Sequence, residues 1–359
     1  MNSVDKGMDK NESLTLNIVR FIMMLAVVFF HGYTSVQMYN DIMAMPVYHC
    51  VIKIFGLQFG ELGVPVFFAI SGYLFFYGYK QNYYSYHSKL KRRIFSLLIP
   101  YFFWNVFFLM VFYIVESIPL IRDLFNQGRE LVHDYTGYDF FKAFWAEDRT
   151  GKPFQSQLWF VRNLMVLMVC SPFIYYLINK GKSFLIMLLA IIWYFGAQWY
   201  NEVNSVFFFS FGAYFSMNGK SLVGTINLYR RFIVLFFILL ALLDLFLMYD
   251  HVNHWIHRAV LLVGPPFVII VTSWMVERGI IRDIKFLTAS IFFVYVVHDP
   301  MLRFIRKFSL QYIDHESDWQ LIIGYFSAIF MDLVICYILY WLLSRYAPRL
   351  LVLISGGRG

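Results

Sequence analysis

The stretch NIVRFIMMLAVVFFH, residues 17–31, is apolar over most of its length but carries Arg20 and His31. An apolar run of about 20 residues is long enough to cross a bilayer as a helix. The first fifteen residues of the chain are polar and mixed in charge, and no small-residue cleavage site follows the run. We therefore interpret it as a retained first membrane span and not as a signal peptide.

The composition of the whole chain points the same way. Of its 359 residues 60% are hydrophobic and 14% are charged, against about 45–50% and about 25% in ordinary globular proteins. A soluble domain of this size needs more charge to cover its surface, and a disordered chain needs the opposite composition. The sequence predicts an all-α, polytopic membrane protein.

Apolar runs bounded by charged residues predict about ten transmembrane helices. Their approximate limits are 17–39, 61–79, 93–115, 157–178, 184–200, 203–217, 230–249, 256–276, 287–308 and 321–343. An alternative start for the second helix lies near Val47, with a break around Gly56 to Gly63. The longest hydrophilic stretch, 116–156, has room for only a small lid or amphipathic segment.

The distribution of Lys and Arg predicts the orientation of these spans. With the N-terminus inside, cytoplasmic segments carry 18 of the 30 basic residues and external segments carry 10. Such an excess is typical of the cytoplasmic side. We expect a cytoplasmic segment at 1–16, a transmembrane domain at 17–345 with an external loop at 116–156, and a cytoplasmic tail at 346–359. The net charge of +8 is then expected from Lys and Arg residues that meet anionic lipid at the cytoplasmic boundary, and we expect no nucleic-acid partner.

Arg20 and His31 are ionisable residues inside a predicted span, which makes each a candidate for function. They are eleven residues apart, about 16 Å of rise and almost three full helical turns, so they share one face at different depths. An arginine suits a phosphate or carboxylate, and a neutral histidine accepts a proton from a hydroxyl. In the alternative interpretation Arg20 contacts lipid headgroups and His31 bonds a neighbouring helix.

Other motifs carry polar residues at or inside the spans. Ser71 and Gly72 form a small-residue notch that is typical of close helix packing. The basic run from Lys89 to Arg93 is typical of a topological anchor and is also suited to a cofactor with several phosphates. The further candidates are Arg162 in span four, His298 and Asp299 before Pro300 in span nine, and two acids, Asp244 and Asp332, for which pairing with Arg162 or with each other is expected.

Four residues between spans seven and eight resemble a metal motif: Asp250, His251, His254 and His257. Steps of three residues drift around a helix, and the segment is predicted to be an external loop. We therefore expect a solvated face here and no metal. The three cysteines, Cys50, Cys170 and Cys336, do not suggest a disulfide framework.

Together these motifs resemble the integral-membrane acyltransferase 3 family. The resemblance is carried by Arg20 to His31 in the first span, by the run VPVFFAISGYL at 64–74, and by the stretch from Lys91 to Tyr101. The runs LWFVRNL at 158–164 and YVVHDP at 295–300 resemble later motifs of the family. In total the similarity extends from about residue 13 to 347.

The resemblance implies transfer of an acyl group, most often acetyl, from cytoplasmic acyl-CoA to a hydroxyl of a surface polysaccharide or its lipid-linked precursor at the cell (inner) membrane. By position it implies that His31 is the essential histidine and that Arg20, Arg92 and Arg93 help to bind the donor, acetyl-CoA. The sequence departs from the family at Ser96, where a second arginine is common. No C-terminal hydrolase-like domain, as found in some members, is expected here.

In the mechanism expected from this resemblance, His31 acts as general base or carries the acyl group, and Arg162, His298 and Asp299 lie on the acceptor side or support it. The membrane lipid, acyl-CoA and a glycan are the expected partners. A different class remains open, a transporter or flippase for a lipid-linked sugar or small solute, because many spans with buried charges suit it equally well. An acyltransferase for a protein or a small-molecule amine is a third alternative.

Overall fold

The computed structural model describes residues 8–34, 46–80, 82–119, 130–147, 151–196, 200–314 and 316–357, and every regular element in these ranges is helical. The all-α prediction is confirmed for this part of the chain. Several predicted features lie outside the described residues: positions 1–7 of the N-terminal segment, the end of the first span after residue 34, positions 120–129 and 148–150 of the external loop, positions 197–199 of the fifth span, and positions 358–359 of the tail.

The helices are numbered here in chain order. They are α1 (Lys10–Thr34), α2 (Pro46–Ile52), α3 (Gly63–Phe76), α4 (Tyr83–Arg93), α5 (Ile99–Glu116), α6 (Gly137–Ala143), α7 (Trp159–Val169), α8 (Ser171–Phe195), α9 (Tyr200–Met217), α10 (Leu222–Leu228), α11 (Arg230–Phe246), α12 (Asn253–Glu277), α13 (Lys285–Ser309), α14 (Asp318–Tyr346) and α15 (Pro348–Ile354). Two π-helical turns, Lys53–Phe59 and Ile94–Leu98, and four 3₁₀ turns, Gly60–Leu62, Val132–Asp134, Ser156–Leu158 and Leu310–Tyr312, connect or extend them.

Among the described residues, seven helical runs are long and apolar enough to cross a membrane. They are Lys10–Tyr33, Pro46–Phe76, Tyr83–Glu116, Ser171–Phe195, Asn253–Glu277, Lys285–Tyr312 and Asp318–Tyr346. The pair α10 and α11, bent by 78°, makes an eighth if it is counted as one span. These runs support a multi-pass membrane protein, whereas the count of ten spans and the cytoplasmic placement of both termini stay predictions.

The second span begins at Pro46, the earlier of the two starts considered from the sequence, and it contains the expected break. Its helix passes through the π-helical turn and the 3₁₀ turn between Lys53 and Leu62. A Cβ atom at Gly60 would lie 3.0 Å from the backbone N and Cα of Phe30, and one at Gly63 would lie 2.9 Å from the carbonyl O of Met23. The glycines therefore allow the broken segment to pack directly on the backbone of α1.

The fourth and fifth predicted spans have different limits in the structure. The fourth is divided at Cys170, after which a new helix starts. Pro172 lies in the first turn of this helix, where a backbone N–H has no partner within the helix, so that the N–H that proline lacks is not missed. The predicted gap between the two spans is a kink inside α8, where Lys182 has φ 47° and ψ −134°. The spacing of apolar residues therefore predicts where the chain changes direction, but it does not predict that the helix continues through the kink.

Helix α1 lies inside the bundle and packs against α3, α12, α13 and α14 as well as the broken segment. Helices α3 and α9 cross at very short distance, because a Cβ at Gly72 would lie 2.0 Å from the carbonyl O of Phe209 and a Cβ at Gly212 would lie 1.8 Å from that of Ala69. The packing interpretation of Gly72 is confirmed.

Two short helices, α6 and α15, lie outside the long helical runs. In the predicted external loop, Thr136 caps α6, and Lys142 together with the Thr136 cap lowers the pKa of the partly exposed Asp139 carboxyl to about 2. At the other end of the chain α15 packs on α5, where Trp104 Nε1 donates to the carbonyl O of Ile354 at 3.0 Å. The residues predicted to form a tail therefore belong, up to 357, to the folded bundle.

Candidate active site

Two cavities lie along α1 at different depths. The first, of about 180 Å³, is lined by Arg20, Ser71 and Arg93 and by a set of aromatic rings, Phe67, Phe160 and Tyr295. The second, of about 350 Å³, is lined by polar residues that include His31, Glu61, Lys152, Ser156 and Arg303. Trp159 and Pro65, close in sequence to Phe160 and Phe67, line the second cavity. The two cavities are thus adjacent in the bundle.

His31 pairs with a carboxylate of α13. Its Nδ1 lies 2.8 Å from Oδ1 of Asp299, and the two side chains are 16% and 4% exposed. Arg303, one turn along α13, donates from Nε to the same oxygen at 3.0 Å and from Nη2 to Ser156 Oγ at 3.1 Å. One nitrogen of the His31 imidazole thus lies against a buried carboxylate, and His31 also borders the second cavity.

His298 lies directly behind this pair. Its ring is buried, stands edge-on to that of His31 with centroids 5.1 Å apart, and has its Nδ1 3.0 Å from the carbonyl O of Val294. In the described part of the chain its Nε2 has no hydrogen-bond partner. The rings of His298 and His31 are therefore in contact.

The candidates Asp244 and Asp332 do not pair as the sequence suggested. Asp332 is buried in α14 and contacts the Sγ of Cys336 at 3.9 Å, whereas Asp244 pairs with Lys53. Both expectations, pairing with Arg162 and pairing with each other, were wrong. The reason is that the partner of Asp244 is Lys53 in the broken second span. The periodicity of the other helices does not show which side of that span faces α11.

The motif before α7 and the motif in α13 come together. Gln157 Nε2 donates to the carbonyl O of Val296 at 2.9 Å, and the hydroxyl of Tyr295 donates to the carbonyl O of Gln157. These bonds fix the start of α7 beside the His31 pair and explain why Ser156 contacts Arg303.

Arg162 fastens the predicted external loop to α7. Its Nη1 donates to the carbonyl O of Gly151 at 2.5 Å and to that of Trp145, and its guanidinium lies 5.4 Å from the ring centroid of Trp145. Its Nε and Nη2 donate to the side chain of Asn163. The residue is buried, and its bonds hold Trp145 and Gly151 of the predicted loop against α7.

The basic cluster divides into residues with different surroundings. Arg93 borders the first cavity with Arg20, whereas Arg92 is exposed and lies 3.4 Å from Ser88 Oγ. The Nζ of Lys89 donates to the last carbonyls of α3, at Phe75 and Tyr77, at 2.7 and 2.8 Å. Of the three, Arg93 is the one that the fold brings together with Arg20.

Ser96, where the family often has an arginine, is covered by the C-terminal segment. Gly356 has φ +67°, and a Cβ there would lie 2.3 Å from the carbonyl O of Ser96. The Oγ of Ser96 is buried without a hydrogen-bond partner among the described residues. The C-terminal segment thus packs on the π-helical turn at the start of the third span.

The segment 250–257 is solvated only in part. Asp250, His251 and His254 are exposed, as expected, but His257 belongs to α12 and its Nδ1 lies 2.9 Å from Asp244 Oδ2. For His257 the prediction of a solvated loop residue was wrong, because α12 begins at Asn253 and turns this side chain inward. In the ranges the structure describes, no group of three or more His, Cys, Asp or Glu residues is arranged to hold a metal ion.

Sequence reasoning missed two residues that border the second cavity, Glu61 and Arg303. Arg303 stands one helical turn after Asp299, a spacing that predicts contact on a helix. Glu61 is a lone acid beside the apolar run at 62–70, and an ionisable residue there meets the same criterion that selected His31.

Comparisons with known proteins identify the family of the chain. The sequence model of the family described as an acyltransferase domain matches residues 14–341. The chain is also similar to the succinoglycan biosynthesis protein ExoH of Rhizobium meliloti (strain 1021), at 24% identity over 371 residues that cover 98% of this chain and 94% of that protein. No solved structure matches the chain. Both cavities lie within the matched range.

Proposed function

The chain belongs to the acyltransferase family whose sequence model spans residues 14–341, and on this premise we propose that it is a membrane-embedded, acyl-CoA-dependent O-acyltransferase. It moves an acyl group, acetyl in the simplest case, from cytoplasmic acyl-CoA to a hydroxyl of a surface polysaccharide or lipid-linked glycan. A relative named for succinoglycan biosynthesis favours a glycan acceptor. The observation that carries the proposal is the His31–Asp299 pair at the second cavity.

In the proposed reaction His31 is the catalytic base. Asp299 accepts a hydrogen bond from the N–H at Nδ1, which leaves the Nε2 lone pair to take the proton from the acceptor hydroxyl. The hydroxyl oxygen then attacks the thioester carbonyl, the C–S bond breaks, and the thiolate of CoA takes up the proton. A second route, in which His31 carries the acyl group between donor and acceptor, uses the same pair of residues.

The donor is assigned to the first cavity. Arg20 and Arg93 border it and supply the charge-assisted hydrogen bonds that phosphates of acyl-CoA require. Arg92, the exposed neighbour of Arg93, adds positive charge outside the cavity. The rings of Phe67 and Phe160 line this cavity and pack on each other with centroids 5.9 Å apart. Arg162 and His298 support the site through the contacts described above.

Isolated membranes provide the test. Membranes that contain the protein are incubated with radiolabelled acetyl-CoA, and the glycan fraction is extracted and counted. The proposal predicts label in the glycan that depends on the protein and on the thioester. A transporter or flippase would give no such label, so its absence with several acyl-CoA chain lengths would contradict the proposal.

A further inference from the structure

A second cluster of charged residues lies away from the His31 pair, between the broken second span and helices α11 and α12. Lys53 Nζ lies 2.9 Å from Asp244 Oδ1 and 3.3 Å from His257 Nδ1, and His257 Nδ1 lies 2.9 Å from Asp244 Oδ2. The side chains of Lys53 and Asp244 are 8% and 0% exposed. A buried ion pair inside a membrane bundle is costly and marks a site where position matters.

The remaining hydrogen-bond capacity of Asp244 is used by two amides. Gln58 Nε2 donates to Oδ2 at 2.9 Å, and Asn253 Nδ2 donates to Oδ1 at 2.8 Å. Lys53 Nζ also donates to Asn253 Oδ1 at 3.0 Å. The carboxylate is therefore held from two elements, the π-helical turn of the second span and α12, and the imidazole of His257 is held with it.

Glu61 connects this cluster to the second cavity. His257 Nε2 lies 3.4 Å from Oε2 of Glu61, whose side chain is 26% exposed and borders the same cavity as His31. The preceding Gly60 packs on the backbone of Phe30, the residue before His31. Because these two backbones are in contact, Glu61 and His31 border the same cavity. No hydrogen bond or ion pair joins the two side chains in the described part of the chain.

We propose that Glu61 binds the acceptor glycan by accepting hydrogen bonds from sugar hydroxyls next to the one that is acylated, and that His257 is its positioning residue. This inference rests on the proposed function. A carboxylate has two oxygens and about four lone-pair sites, which suits two neighbouring hydroxyls. Lys152 and Arg303 border the same cavity and provide donors for the sugar oxygens. The Lys53–Asp244 pair fixes His257 and, through it, the Glu61 carboxylate.

The test uses the purified full-length chain in lipid nanodiscs, radiolabelled acetyl-CoA, and the glycan fraction extracted from membranes of the host cell. Glu61→Gln keeps the size of the side chain and leaves Lys53, Asp244 and His257 in place. It should raise the KM for the glycan about 10-fold or more, the expected loss for hydrogen bonds to a charged group. The KM for acetyl-CoA and the rate at saturating glycan should stay within about twofold.

A double-mutant comparison separates the positioning role from a structural one. His257→Gln should raise the glycan KM in the wild-type background and have little further effect in Glu61→Gln, because both changes act on the same contact. Glu61→Asp keeps the charge with a shorter side chain and should give an intermediate KM, which also serves if Glu61→Gln is poorly folded. Asp250→Asn, an exposed acid just before α12, is the matched control and should behave as wild type.

An unchanged glycan KM in Glu61→Gln, or a fall in the saturated rate with KM unchanged, would overturn the inference, as would additive effects of the two substitutions. These outcomes test the inference when the wild-type protein labels the glycan. A wild-type protein that transfers no label would instead overturn the proposed function.

Discussion

At the scale of single residues, catalysis in this account depends on one nitrogen of His31 facing a carboxylate at 2.8 Å. In the proposed reaction the Asp299 carboxylate favours the tautomer with the proton on Nδ1, which leaves Nε2 as the base, so that the ring does not need to reorient. Arg303 donates to the same carboxylate oxygen at 3.0 Å and holds its orientation.

Asp299→Asn tests this orientation. The amide can donate to Nδ1, which favours the tautomer with the proton on Nε2 and removes the base. We expect the rate of acyl transfer to fall about 100-fold or more, the usual contribution of a positioned general base, with little change in the KM for acetyl-CoA. Steady-state transfer from labelled acetyl-CoA measures both, and an Asn variant with wild-type rate would show that the carboxylate is not needed.

The two neighbouring arginines of the basic cluster give a matched pair of variants. Arg93→Gln removes a residue that borders the first cavity with Arg20, whereas Arg92→Gln removes an exposed one. We expect the KM for acetyl-CoA to rise about 10-fold in Arg93→Gln, the scale of a hydrogen bond to a charged group, and much less in Arg92→Gln. Equal effects of the two substitutions would contradict a specific phosphate site at Arg93.

Sequence alone could place Arg20, His31, His298 and Asp299 as candidates, because ionisable residues inside apolar helices are conspicuous. It could not show that His31 meets Asp299, since the relative depth and rotation of two helices distant in sequence do not follow from their periodicity. His257 was misplaced for a related reason: its partners Asp244 and Glu61 come from two other elements.

At the scale of helices, two glycines allow α3 and α9 to cross at very short distance. The crossing of α3 and α9 leaves no space for a Cβ at Gly72 or Gly212, where the nearest atoms are backbone carbonyls. Backbone atoms cannot rotate away as side chains do, so any larger residue must separate the helices. Such close approach is what small residues provide in membrane bundles.

Gly72→Ala should therefore destabilise the fold by about 1–3 kcal/mol, the usual cost of overpacking. Gly137→Ala is the control, because a Cβ at Gly137 meets no atom within 4 Å. Thermal unfolding of the purified variants in the same detergent provides the measurement. A midpoint for Gly72→Ala equal to that of Gly137→Ala would contradict the crossing described here.

The limits of the helices show what composition can and cannot predict. Glycines at 56–63 indicated the break in the second span, and the polar gap near residue 180 indicated the change of direction at Lys182. The sharp bend between α10 and α11 was not predicted, because a basic residue at a helix start looks the same whether the chain begins a new span or turns within one.

At the scale of the whole molecule, α1 connects two chemically different cavities, one bordered by arginines and the other by a histidine, a glutamate and an arginine. An enzyme that takes its donor from one side of a membrane and its acceptor from the other requires such an arrangement. The resemblance in sequence predicted the family and these motifs, whereas the separation into two cavities is a property of the packed bundle.

The predicted orientation assigns Arg92 to the cytoplasmic side and Asp250 to the outside, and both are exposed. In a variant with the three native cysteines replaced, Arg92→Cys should react with a membrane-impermeant maleimide only after the cells are permeabilised, whereas Asp250→Cys should react in intact cells. The excess of basic residues on the cytoplasmic side is the physical reason. Labelling at position 92 in intact cells would reverse the assignment of the two cavities.

The central claim is that His31 performs the transfer, and the most direct measurement is the rate at which purified His31→Gln moves label from acetyl-CoA to the extracted glycan. The variant keeps a polar side chain at this position but has no base. The account predicts that transfer falls about 100-fold or more while the protein remains monodisperse and still binds acetyl-CoA. Transfer at the wild-type rate by a correctly folded His31→Gln protein would contradict it.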